Sequence, residues 1–120
     1  MLSREEIHDY LLSLPHAECI YKEDWECFLY KLDAKFFALM THNEPVAAVS
    51  LKCKPERSIE LRAAFKEVTA GYHLNKTHWN TITIENTLDE ELMKELMRHS
   101  YELIFASLTK KRQKELNLYE

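Results

Sequence analysis

The sequence predicts a two-layer α+β domain: an antiparallel β-sheet of about five strands with helices on one face. Three observations predict it. The apolar patterns run in the order α-β-β-β-α-β-α, with strands grouped rather than alternating one by one with helices. The connections between Leu14 and Pro55 are too short for a crossover helix, so neighbouring strands must run antiparallel. The length of 120 residues is that of one domain, able to bury roughly two-thirds of its unfolded surface without a metal or disulfide.

Each element has its own signal. Ser3 and Glu6 form a capping-box pattern ahead of a helix from about Ser3 to Leu14. Ile7, Tyr10, Leu11 and Leu14 recur on one face of it, and Pro15 ends it. Ala17 to Tyr21 reads as a short strand. Trp25 to Leu32 and Lys35 to Thr41 read as strands joined by a tight turn at Asp33-Ala34. Asn43-Glu44-Pro45 is the next turn and Val46 to Cys53 the next strand. Pro55 suits the first position of a second helix, whose apolar face is Leu61, Ala64, Phe65 and Val68. Trp79 to Ile84 reads as a strand. Asp89 caps a third helix to about Ser107, with Leu92, Met93, Leu96, Met97, Leu103 and Ile104 as its stripe. Thr109 caps a short basic helix from Lys110 to Leu116. Residues 1–120 form a single domain, with 109–120 as a basic C-terminal segment.

Composition narrows the function classes. The apolar fraction of 46% and charged fraction of 30% are those of a globular protein. No apolar run reaches the ~18 residues of a membrane span, and the N-terminus lacks the apolar core of a signal peptide. A cytoplasmic location is expected. Cys19, Cys27 and Cys53 form no Cys-x-x-Cys pair, so they are expected as free thiols, with Cys27 and Cys53 buried. The net charge of −4 is unevenly spread: residues 1–49 carry −5, 50–79 carry +3, 80–106 carry −4 and 107–120 carry +2. A basic segment inside an acidic chain gives limited support to nucleic-acid binding.

The densest polar cluster is Gly71-Tyr72-His73-Leu74-Asn75-Lys76-Thr77-His78-Trp79. It holds the only glycine of the chain, which implies positive φ or close backbone approach. Strand alternation sets Ile82 and Ile84 towards the helices and Trp79, Thr81 and Thr83 on the other face. Trp79 is then expected at least partly exposed, either as a stacking platform with Lys52 and Lys76 near a phosphate or, as favoured here, as a cover over the sheet under a loop. Asn75 would pair with a base edge or, as favoured here, close the turn through its backbone. His73 and His78 lack acidic or cysteine partners at ligand spacing, so no metal is expected. The acidic residues Glu5, Glu6, Asp9, Glu18, Glu23, Asp24 and Glu26 read as a solvated face. Cys53 lacks an activating motif, Ser100 is mid-helix rather than on a strained elbow, and one glycine excludes a Gly-rich phosphate loop. No catalysis is expected.

Several segments together carry a family resemblance. They are Lys35-Phe36-Phe37-Ala38-Leu39, Leu51-Lys52-Cys53-Lys54-Pro55-Glu56, Leu61-Arg62, residues 68–81 around Gly71, and His99-Ser100-Tyr101-Glu102-Leu103. With these the chain resembles the YjbR/MmcQ family over nearly its full length. It departs in having Ala70 where the family often has proline and Lys54 where it has an acidic residue. The resemblance implies an α+β domain similar to secretion-chaperone and frataxin-like architectures. It also implies a DNA-binding role through a double wing of β-hairpins, and it supplies no catalytic residues.

Binding is therefore expected at Lys52, Lys54, Arg62, Tyr72, His73, Asn75, Lys76, His78 and Trp79, with the Lys110–Lys114 segment as a further phosphate contact. DNA is the partner implied. The alternative is a small ligand or a protein that uses the Gly71–Trp79 loop as a pocket wall. No cofactor and no membrane are expected, and the chain is expected to be a monomer.

Overall fold

In a computed structural model that describes residues 2–41, 47–71, 74–84 and 88–117, one sheet of six antiparallel strands carries helices on one face. The elements are α1 (Arg4–Ser13), β1 (Glu18–Lys22), β2 (Cys27–Leu32), β3 (Lys35–Thr41), β4 (Ala48–Lys52), α2 (Pro55–Ala64), β5 (Val68–Ala70), β6 (Trp79–Thr83), α3 (Glu90–Ala106) and α4 (Lys110–Asn117). The strand order is β1-β2-β3-β4-β6-β5, so β6 is inserted between β4 and β5.

Local chemistry accounts for the boundaries. Ser3 Oγ accepts the Glu6 amide while the Glu6 carboxylate accepts the Ser3 amide, a closed capping box. Asp33 turns the β2–β3 hairpin with a left-handed φ of 59°, a conformation aspartate tolerates. The Asp89 carboxylate caps α3 by accepting the Glu91 and Leu92 amides. Thr109 Oγ1 accepts the Arg112 amide at the start of α4.

Register assigns the two faces. Tyr30, Ala38, Leu51 and Asn80 lie in one row across β2, β3, β4 and β6. Tyr30 meets His8 of α1 and Asn80 meets Ser58 of α2, so this is the helix side. Leu11, Leu32, Met40, Val49, Ile82, Leu96, Met97 and Ile104 fill the core there. The opposite, open face carries Ile20, Leu29, Leu39, Ser50 and Thr81 in one row. Lys52 and Trp79 are a cross-strand pair on that same face.

Two expectations are corrected, and one falls outside the described residues. The second helix does not reach Val68. It ends at Ala64, Ala64 is exposed, and Val68 pairs with Ile82 as the start of β5, a strand the pattern did not reveal. Its buried face uses Ser58 with Leu61 instead. Trp25 is not in a strand: Glu23–Trp25 form one 3-10 turn, Glu26 follows with φ 50°, and β2 begins at Cys27. The Asn43-Glu44-Pro45 turn lies outside the described residues.

Candidate functional site

The β2–β3 pairing carries a bulge that organises one end of the site. Tyr30 faces Ala38 and Lys31 faces Phe36, which leaves Phe37 as the extra residue. Phe37 turns to the helix side and meets Tyr101 edge-to-face at 5.3 Å. Its carbonyl is released from the ladder and accepts the Ser100 hydroxyl at 2.5 Å. The Lys52 amide donates to the same Ser100 Oγ at 2.8 Å. Ser100 thus closes a gap between β3 and β4, and both its donor and an acceptor site are used.

The Gly71 loop is bound to itself and to its frame. Gly71 donates its N–H to the Trp79 carbonyl at 2.8 Å. Its φ is not positive. Close approach requires the glycine, because a Cβ there would lie 2.8 Å from Trp79 Cβ and 3.0 Å from the Trp79 carbonyl oxygen. Asn75 Oδ1 accepts the Thr77 amide at 2.9 Å, and the Asn75 carbonyl accepts the Trp79 amide at 2.9 Å. This is an Asx-type turn, so Asn75 closes the loop as favoured from the sequence. Arg62 donates through Nε to Asn80 Oδ1 at 2.8 Å and through Nη2 to the Lys76 carbonyl. The Cys53 amide donates to the His78 carbonyl at 2.7 Å. Asn80 is buried and passes a bond on to the Ser58 carbonyl. These bonds contribute about 0.5–1.5 kcal/mol each, more where a charged donor takes part.

Several predicted contact residues therefore have structural roles. Arg62 staples α2 to the loop, so its guanidinium is committed. Trp79 is only 9% exposed, against the expectation of a partly exposed ring. It lies on the open face as register requires, and Phe36 covers it at 5.3 Å between ring centroids. Phe36 in turn meets Trp25 at 6.3 Å. Trp25 is the exposed tryptophan, at 51%, with the Lys22 ammonium 5.1 Å from its ring centre. Sequence reasoning missed Trp25 as a surface residue; the acidic Glu23-Asp24-Trp25-Glu26 run was the signal that no strand begins there. His78 is half-buried. Tyr72 and His73 lie outside the described residues.

Lys52, Lys54 and Lys76 remain. Lys54 and Lys76 are exposed, Lys52 is half-buried, and none forms an ion pair among the described residues. The C-terminal segment is less available than expected: Arg112 binds Asp33 through two nitrogens, at 2.7 and 3.0 Å, and also meets Glu115.

Behind the lysines, Arg57 of α2 forms a two-pronged pair with Glu95 of α3. That pair holds the Glu95 carboxyl below its ordinary range. Burial pushes the Cys53 thiol up and the His99 imidazole down. His99 Nε2 is buried with no hydrogen-bond partner among the described residues. Cys19, Cys27 and Cys53 are all free, the latter two buried as expected. Among the described residues no three His, Cys, Asp or Glu side chains are grouped so as to hold a metal ion, and no helix is long and apolar enough to cross a membrane.

The family model described as YjbR matches residues 12–103. The chain is 32% identical to the uncharacterized protein YjbR of Escherichia coli K12 over 111 residues, 92% of this chain and 94% of that one. It is 37% identical to the uncharacterized protein YyaQ of Bacillus subtilis over 91 residues, 76% and 73% of the two chains. A crystal structure of a Deinococcus radiodurans protein with the domain DUF419 superposes with a TM-score of 0.90 at 35% identity, covering 98% of this chain and 89% of that one. A Pseudomonas syringae protein shares the fold at a TM-score of 0.74 and 22% identity, over 85% and 98%.

Proposed function

This chain belongs to the YjbR family, and from that premise we propose that it is a binding module without catalysis that holds DNA by its phosphates. The observation that carries this reading is the trio Lys52, Lys54 and Lys76. They surround the junction of β4, β6 and α2, and no described carboxylate forms an ion pair with them. Backbone geometry fixes their bases: Lys52 is in β4, Lys54 is the N-cap of α2, and the Lys76 carbonyl is held by Arg62. Such contacts position a duplex or single strand and read no base. Trp79 is too well covered for stacking, so the binding is electrostatic and independent of sequence. The non-catalytic part of the reading is supported by Ser100, whose hydroxyl is spent on the Phe37 carbonyl and the Lys52 amide. It is supported too by Cys53, whose thiol burial keeps protonated.

A salt titration with a short DNA tests it. Binding falls linearly on logarithmic axes, with a slope of about −0.9 per phosphate contact. Lys52→Ala, Lys54→Ala and Lys76→Ala are each expected to lower the slope by roughly one and to weaken all sequences about equally. Lys54→Ala and Lys76→Ala remove exposed side chains and leave the melting temperature nearly unchanged. A wild-type protein with no DNA affinity even at low salt ends this reading.

A further inference from the structure

We propose that the outer edge of β1 is a self-association surface, on which a second copy of this chain lays its own β1 antiparallel about a two-fold axis through Ile20. The proposal departs from the monomer expected from the sequence. It concerns the end of the sheet opposite β5 and β6, and it does not depend on the DNA reading.

β1 is the terminal strand of the sheet and pairs with β2 on one side only. A terminal strand presents a row of backbone donors and acceptors to any extended segment that approaches. The surroundings are unusually apolar for such an edge. Ile20 and Tyr21 are each 44% exposed and Trp25 follows in the next turn, three of the five large exposed apolar residues described. An open crevice of about 510 Å3 runs along Ile20, Tyr21, Lys22, Glu23 and Asp24.

Charge complementarity selects the occupant and its register. In the sequence Glu18-Cys19-Ile20-Tyr21-Lys22, strand alternation sets Glu18, Ile20 and Lys22 on the open face and Cys19 and Tyr21 on the helix face. A two-fold axis through Ile20 brings Glu18 of each copy opposite Lys22 of the other, twice. The two Ile20 side chains meet at the centre, and Cys19 faces Tyr21 of the other copy. Opposite charges directly across strands stabilise a pair, and like charges destabilise it. Other registers lose this match. An axis through Cys19 sets Glu18 against Ile20, and one through Tyr21 sets Lys22 against Ile20. A slip by one residue sets Glu18 against Tyr21, or sets Glu18 against Glu23 and Lys22 against Cys19. The Lys22 ammonium is already held on the open face by Trp25, 5.1 Å from its ring centre, where the incoming Glu18 carboxylate would arrive. The product is one continuous sheet through both copies, which leaves no free edge at β1.

Sedimentation of the full chain over roughly 1 µM to 1 mM tests the proposal. Wild type is expected to convert from monomer to dimer within that range. Lys22→Glu and Glu18→Lys each set like charges across the axis and are expected to raise the dissociation constant roughly tenfold. The double variant Glu18→Lys with Lys22→Glu reverses every pair and is expected to restore wild-type association. Should a charge variant fold poorly, Ile20→Cys in a Cys19→Ser background keeps the register testable. Its two thiols meet on the axis at a separation a disulfide can span, so oxidation is expected to yield a covalent dimer. A wild type that stays monomeric overturns the proposal. So does a dimer indifferent to the single charge variants, a double variant that fails to recover, or an Ile20→Cys variant that does not cross-link.

Discussion

At the residue scale, the single glycine shows how a sequence signal and its physical cause can be separated. Scarcity marked Gly71 as a position of positive φ or close approach, and packing against Trp79 decides for close approach. Gly71→Ala therefore meets backbone and a Cβ rather than the movable end of a side chain, and the loop must shift. The expected cost is that of overpacking, about 1–3 kcal/mol, read as a lower urea midpoint. An unchanged midpoint would show that the Trp79 backbone can yield. Asn75 was legible for a similar reason, since its turn is closed by its own side chain within three residues. Arg62 and Asn80 were not. Their bond joins a helix to a strand 18 residues on, and no local pattern encodes which distant acceptor a guanidinium will find. Trp79 was placed on the correct face by alternation, but its burial depends on Phe36, which arrives from another strand.

At the element scale, caps and hairpins were legible because they are closed by residues a few positions apart. The capping box of α1, the Asp33 turn, the Asp89 cap and the Thr109 cap all stand where the sequence put them. β5 was missed because Val68 also continues the helical spacing of Leu61 and Phe65, and only its pairing with Ile82 decides between the two. The α2–α3 junction was likewise invisible in sequence, and it has a pH signature. His99 is held below its ordinary value of 6.5 by burial first, then by Arg57 and Lys54, with Glu95 and Glu102 opposing. The fold thus favours neutral His99. Its contribution is fully present above 6.5 and is lost as pH falls through the depressed folded value. Glu95, lowered chiefly by its bond to Arg57, contributes above 4.5 and loses that contribution only in stronger acid. His99→Gln is expected to flatten the upper part of the stability profile and leave the lower part intact. Urea midpoints across both windows measure this, with the difference between variant and wild type isolating His99 from the other histidines. Parallel profiles would mean that His99 titrates alike in folded and unfolded chains.

At the scale of the whole molecule, net charge misdescribes the electrostatics. The sheet order separates the signs. β1 and the turn after it carry Glu18, Glu23, Asp24 and Glu26 against the single Lys22, whereas Lys52, Lys54 and Lys76 gather around β4, β6 and α2. Four strand spacings lie between β1 and β6, about 19 Å. The screening length is about 10 Å at 0.1 M salt, so each end acts largely on its own. If the lysine end holds DNA, neutralising the far end should matter little. Glu23→Gln, Asp24→Asn and Glu26→Gln together remove three negative charges from a chain whose net charge is −4, yet DNA affinity at 0.1 M salt is expected to change less than twofold (order of magnitude). Lys52→Ala with Lys76→Ala removes only two positive charges, yet it is expected to lower the salt slope by roughly two and the affinity at least tenfold. At much lower salt the screening length grows to about 30 Å, and the acidic end should then begin to repel DNA, so the triple variant gains affinity only there. Equal responses to the two sets of variants at 0.1 M salt would show that DNA senses total charge rather than a localised site.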